Sequence, residues 1–224
     1  MEGFQLIADT PPRQVDQGRF EFRVWPRVWP HAVILMQKYW PLVGAERRSD
    51  VYLVTTRSPL CLVKLRGGTL LERKQRGRDI AALQCWTHES FGPFPLAPPV
   101  VRALASDLQV AGLPPDAGRS PGQLVTCLRT QATAVRAVPV RKSRLIFRKD
   151  DTRLEICRVV IAGRPRLTLA IEDSDPDRAL KTVDALGIGH LPNLSYGDVL
   201  GTASLLSQSR YEGFQIEQPQ RNTP

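Results

Sequence analysis

The sequence predicts an α+β protein whose core is one antiparallel β-barrel with helices at its flanks. Three observations lead there. Charges recur at alternate positions in strand-like segments: Arg19-Phe-Glu21-Phe-Arg23, Lys64-Leu-Arg66, Glu72-Arg-Lys74 and Lys142-Ser-Arg144. Residues i and i+2 of an extended chain share a face, so each segment collects its charges on one side. The other face of several segments is apolar, with Phe20 and Phe22 in the first and Val63 and Leu65 in the second. A flat sheet turns such charges to water, whereas a sheet closed into a barrel turns them into a shared lumen. Finally, two strand-rich halves flank a Pro- and Gly-rich stretch at 92–122, and the 19 prolines and 16 glycines argue against a helical bundle.

The elements follow in order. Residues 1–17, with Pro11-Pro12, read as a lead-in to a domain over 18–207, and the Gln- and Pro-rich residues 208–224 as a flexible tail. A first strand covers about 18–25. Pro26 and Pro30, each following a tryptophan, then exclude a regular helix or central strand. Ala32, Ile34, Leu35, Met36, Tyr39 and Trp40 fit a short helix over 31–42. Strands are expected at 49–56, 60–66 and 69–75, the last two joined by the two-residue hairpin signal Gly67-Gly68, and a fifth at 80–87. A helix at 99–108 precedes a loop containing Pro114-Pro115 and Ser120-Pro121. Strands resume at 123–130, 135–148, 152–161 and 165–172. Asp175-Pro176 opens a helix over 176–186 that Gly187 stops, and Ser195 caps a last helix over 195–207.

Composition narrows the function. With 224 residues, 42% hydrophobic and 24% charged, the chain has the make-up of a soluble globular protein with one large core. Its net charge of +9 favours anionic partners without choosing among them, and nothing beyond that charge points to nucleic acid. No apolar run reaches the roughly 18 residues of a membrane span, and Met1-Glu-Gly-Phe-Gln lacks the order of a secretory signal. A cytoplasmic location is therefore expected. Cys61, Cys85, Cys127 and Cys157 form no Cys-x-x-Cys pair and read as free thiols in apolar surroundings. The histidines His31, His88 and His190 share no metal-ligand spacing and read as structural or exposed, and Trp86 reads as a core anchor. No nucleophile elbow or P-loop is present. A lumen of lysines and arginines relieved by a few carboxylates suits a phosphate chain.

The order of these segments resembles the CYTH superfamily of triphosphate tunnel enzymes over about residues 18–205. That family opens with a Glu-x-Glu-x-Lys strand, where this chain has Arg19-Phe-Glu21-Phe-Arg23. Asp50-Val-Tyr52, Lys64-Leu-Arg66, a strand ending in Lys74, Lys142-Ser-Arg144 and an acidic strand around Glu155 follow in the family's order. Ala170-Ile-Glu172 stands where the family carries Glu-x-Glu, and Leu194-Ser-Tyr196-Gly-Asp198-Val-Leu200 is similar to its Ser-Tyr-x-x-Leu-Leu segment.

The resemblance implies a triphosphate-tunnel barrel that hydrolyses a linear triphosphate (inorganic, nucleoside or thiamine triphosphate) with Mg²⁺ or Mn²⁺. Arg23, Lys64, Arg66, Lys74, Lys142 and Arg144 are then expected to hold the phosphates. Glu21 and Glu172 are the catalytic candidates, and Glu21, Glu155 and Glu172 the metal ligands. Arg19, Arg23 and Ala170 depart from the family pattern. They leave open an alternative: a degenerate module that binds polyphosphate or nucleotide without hydrolysing it. Glu72 reads either as a lumen acid or as half of a cross-strand ion pair, and Asp50 and Tyr52 as packing residues.

Overall fold

Alternate charge and apolarity is resolved by closing the sheet. The computed structural model describes residues 18–55, 57–131 and 135–203. Its strands are β1 (Arg19–Val24), β2 (Leu42–Thr55), β3 (Cys61–Arg66), β4 (Leu70–Arg76), β5 (Gln84–Pro93), β6 (Val135–Lys149), β7 (Thr152–Ile161) and β8 (Arg164–Asp173). They form a closed barrel in the order β1-β5-β4-β3-β2-β6-β7-β8, with every neighbouring pair antiparallel. Closure removes the exposed sheet edges and gives the even-numbered side chains of β2, β3, β4 and β6 a common interior.

The barrel is apolar outside and charged inside, and helices cover the apolar exterior. On one flank, Phe22, Val24, Leu154, Leu169 and Ile171 pack against α1 (Ala32–Tyr39) through Met36 and α4 (Pro176–Ala185) through Ala179 and Val183. On the other, Leu53, Val63, Leu65 and Leu71 meet α2 (Pro98–Asp107) through Val101 and Leu104 and α3 (Pro121–Gln131) through Leu124 and Leu128. Each fully buried leucine contributes roughly 2 kcal/mol to this shell.

A third cluster lies within the barrel. Tyr52, Val54, Val140, Cys157, Val159 and Ile161 fill one end of the lumen, where Tyr196 and Leu200 of α5 (Tyr196–Ala203) pack onto them. Among the described residues the lumen is thus blind at that end. Among them, too, no helix is long and apolar enough to cross a membrane.

Local signals set the turns and caps. Gly67 and Gly68 adopt φ of 59° and 78° in the β3–β4 hairpin, the left-handed conformation that residues with a Cβ resist. Asp175 caps α4 by accepting from the Asp177 and Arg178 amides at 2.9 and 3.3 Å, with Pro176 at the first helical position. Ser195 and Asp198 cap α5 reciprocally: Ser195 Oγ accepts from the Asp198 amide, and Asp198 Oδ2 from the Ser195 amide.

Three expectations need correction. The segment 123–130 is the helix α3, not a strand; Ser120 Oγ accepts from the Gln123 amide at 3.1 Å, and Leu124 and Leu128 stack one turn apart on the core face. The fifth strand begins at Gln84 rather than 80, because Ile80 and Leu83 close a tight turn with Ala81 at φ 49°. Strand β2 begins at Leu42, its first half pairing with β6 from Phe147 to Lys142. The lead-in 1–17, residues 204–207 of the expected last helix and the tail 208–224 lie outside the described residues.

Candidate functional site

The charged end of the lumen is a cavity of about 330 Å³. Among the described residues ten lysines and arginines and four glutamates line it, a formal surplus of six positive charges. Glu21, Arg23, Lys64, Arg66, Lys74, Lys142, Arg144, Glu155 and Glu172, named from the sequence, all lie on its wall, as does Glu72. The same-face spacing is the cause: each of the eight strands aims one parity inward.

Two ion-pair networks occupy the wall, one on β3, β4 and β5 and one on β2 and β6. Glu72 lies directly opposite Lys64 and meets its Nζ at 2.9 Å, Arg66 at 3.0 Å and His88 Nε2 at 3.3 Å, so it is both a lumen acid and a cross-strand partner. These partners outweigh burial and hold its carboxyl well below the usual range. Asp50, fully buried, pairs with Lys142 Nζ and Arg48 Nε, each at 3.0 Å. Lys142 also donates to Tyr52 Oη at 2.7 Å and lies 4.1 Å from the centroid of the Tyr196 ring. Burial lowers the pKa of both Lys64 and Lys142. Asp50 and Tyr52, read from the sequence as packing residues, therefore orient a cavity lysine as well.

The third network centres on Arg23, whose side chain is 4% exposed. Its Nε donates to Glu21 Oε1 at 2.7 Å, and one terminal nitrogen donates to Glu155 Oε1 at 3.1 Å and Thr168 Oγ1 at 3.3 Å. The other terminal nitrogen is 3.8 Å from Glu172 Oε1. The remaining carboxylate oxygens are also engaged: Glu21 Oε2 by Lys74 at 3.1 Å, Glu155 Oε2 by Arg144 at 2.7 Å and Glu172 Oε2 by Arg153 at 3.0 Å. Burial alone would raise the Glu21 carboxyl, but Arg23 and Lys74 bring it down to about 2. Glu155 is likewise held well below its ordinary value, chiefly by Arg23 and Arg144 against the opposing effect of burial.

A hard divalent cation requires carboxylate oxygens free to ligate it. Here both oxygens of Glu21, Glu155 and Glu172 face guanidinium or ammonium groups, and among the described residues no three His, Cys, Asp or Glu are grouped to hold a metal ion. The donor set as it stands does not fit a resident Mg²⁺ or Mn²⁺. The three glutamates do converge, but on Arg23.

Several cavity residues escaped the sequence reading. Arg48 and Arg153 line the wall, with Arg19 and Arg148 among the lining cations too. Arg48-x-Asp50-x-Tyr52 and Arg153-x-Glu155 carry the same alternate spacing as the segments recognised, so the signal was present. His88 and Trp86 also line the cavity. The Tyr196 hydroxyl is buried and has no hydrogen-bond partner among the described residues. Such a group costs stability unless something meets it.

No family model and no curated protein matches the sequence. Solved structures do. HpAC1 from Hippeastrum, an assigned adenylyl cyclase with a dominant triphosphatase activity, superposes with a TM-score of 0.51 at 13% identity, covering 83% of this chain and 96% of that one. The PH1819 protein from Pyrococcus horikoshii OT3 gives a TM-score of 0.50 at 11% identity, covering 83% and 99%. At such identities the likeness is one of fold. Together with the closed eight-stranded barrel and its charged lumen, it identifies the architecture: this chain has the triphosphate-tunnel fold.

Proposed function

We propose that the lumen is a receptor for a linear triphosphate or the terminal phosphates of a longer polyphosphate or nucleotide. The surplus of six positive charges in a partly enclosed cavity carries this reading. A triphosphate brings about four or five negative charges, and charge-assisted hydrogen bonds in a desolvated site are roughly twice as strong as neutral ones. Among the lysines and arginines that pair with the cavity glutamates, Arg66 and Arg153 are the most open, and Lys74, slightly less exposed, pairs with Glu21 and Glu172. They are assigned the phosphate oxygens first, while Lys64, Lys142 and Arg144 form the fixed positive wall behind.

Hydrolysis of the bound triphosphate is the second reading. It is favoured by the two glutamates, Glu21 and Glu172, that stay in the cavity beside the cations, and by the fold shared with HpAC1. Phosphoryl transfer needs mainly positioning and charge stabilisation, which a lumen of fixed cations can supply without a covalent nucleophile. In that reading one of the two carboxylates orients the attacking water.

The deciding experiment is calorimetric titration with inorganic triphosphate, ATP and thiamine triphosphate, paired with phosphate-release assays in Mg²⁺, Mn²⁺ or EDTA. Saturable one-site binding supports the receptor, and phosphate release adds turnover. Absence of binding to all three ligands removes both readings.

A further inference from the structure

We propose that Arg23 is a built-in counter-ion standing where a resident metal would otherwise be needed, so that this barrel takes up its anion without a divalent cation. The inference rests on the phosphate-receptor reading for its ligand, and on the geometry around Arg23 for its substance.

Strands β1, β7 and β8 are neighbours in the barrel, and each sends one glutamate to the same place: Glu21, Glu155 and Glu172. Three carboxylates gathered in a buried site repel one another and need a compensating positive charge. The chain supplies it covalently. Arg23 leaves β1 two residues after Glu21, on the same face, and contacts one oxygen of each glutamate within 3.8 Å. The guanidinium is further fixed by Thr168 and lies 4.9 Å from the Tyr196 ring centroid. An incoming divalent ion would have to displace it and leave a buried guanidinium without its anions, which is strongly unfavourable.

Arg23 therefore has little donor capacity left for a phosphate. Although expected from the sequence to bind substrate, it acts as a positioning residue that holds the acids, and the acids hold it. Lys74, Arg144 and Arg153 complete the neutralisation at the periphery. Metal-free binding follows, because the cavity already carries the positive charge a cation would bring.

Two measurements test this separately from the receptor reading. In the first, free Mn²⁺ is followed by electron paramagnetic resonance during titration with the full chain and no phosphate. The wild type is expected to leave the Mn²⁺ signal unchanged up to about 1 mM metal, and Arg23→Gln, which releases one oxygen of each of the three carboxylates, to sequester Mn²⁺. In the second, inorganic triphosphate is titrated calorimetrically into the wild type with EDTA and with Mg²⁺, and the affinities are expected to agree within about threefold, under 1 kcal/mol. Saturable Mn²⁺ binding by the wild type, or triphosphate binding more than tenfold weaker in EDTA, overturns the proposal. If triphosphate does not bind in either condition, the receptor reading fails and the wild-type Mn²⁺ titration alone decides the role of Arg23. That titration needs no variant, so a misfolded Arg23→Gln does not rescue the idea.

Discussion

Glu21 and Glu172 face each other directly across the β1–β8 ladder, a position in which two like charges repel. A single ammonium answers both: Lys74 Nζ lies 3.1 Å from Glu21 Oε2 and 3.9 Å from Glu172 Oε1. Arg23 reaches the same two acids from the other side.

Removing that ammonium should expose the repulsion. Lys74→Met is expected to lower stability by about 2 kcal/mol, less than for a fully buried pair because Lys74 retains 26% exposure. Adding Glu172→Gln to Lys74→Met should recover part of the loss. Urea unfolding of the two single mutants and the double mutant measures the coupling, and strictly additive effects would contradict it.

Acid should weaken the barrel in a defined window. Glu21 titrates near 2 in the folded chain against an ordinary 4.5, and Glu72 and Glu155 are also depressed. A depressed carboxylate lends stability above its unfolded pKa and loses it as pH falls through the folded value. Stability should therefore hold above about pH 5 and fall below it by up to roughly 1.4 kcal/mol per pH unit for each such group. Glu155→Gln should make the descent shallower. A urea midpoint that does not move between pH 6 and 3 would refute the networks as drawn.

The cations divide into an open set and a set locked between acids. Arg66 is 41% exposed and meets only Glu72 among the ion pairs described, so Arg66→Ala should weaken inorganic triphosphate binding about tenfold, near 1.4 kcal/mol, with unfolding almost unchanged. Arg144 instead holds Glu46 and Glu155 together, and Arg144→Ala should cost about 3 kcal/mol of stability. Equal binding losses without any stability difference would mean diffuse electrostatics rather than two sets.

Tyr196→Phe removes only a hydroxyl that has no partner among the described residues. Stability of the free protein should stay level or rise by up to about 1 kcal/mol. If the hydroxyl meets the ligand, triphosphate affinity should fall at the same time, a pairing of effects that thermal shift and calorimetry together resolve.

Much of this site was legible from the spacing of charges alone. Alternate charged residues located the inward faces of β1, β3, β4 and β6 because strand periodicity of two is insensitive to errors at strand ends. The same spacing runs back through Arg48 and Glu46, but the strand was expected to begin only at 49, and it is the pairing with β6 that extends it to Leu42. The run Leu124-Val125-Thr126-Cys127-Leu128 suits a buried strand as well as a helix, and the Ser120 cap decides it. The sequence also could not reveal that Arg23 turns toward the acids rather than toward open space. That depends on β1, β7 and β8 lying side by side, which only closure of the barrel brings about.

The apolar plug of Tyr52, Val140, Val159, Tyr196 and Leu200 turns the lumen into a cul-de-sac among the described residues. An occupant must then back out by the route it came in, and only a chain's free end can reach the inner wall. A ring such as trimetaphosphate offers no end to insert, and a long polymer can be gripped at its terminus but never threaded. On the phosphate-receptor reading, such a barrel would count phosphates from the tip and select by topology.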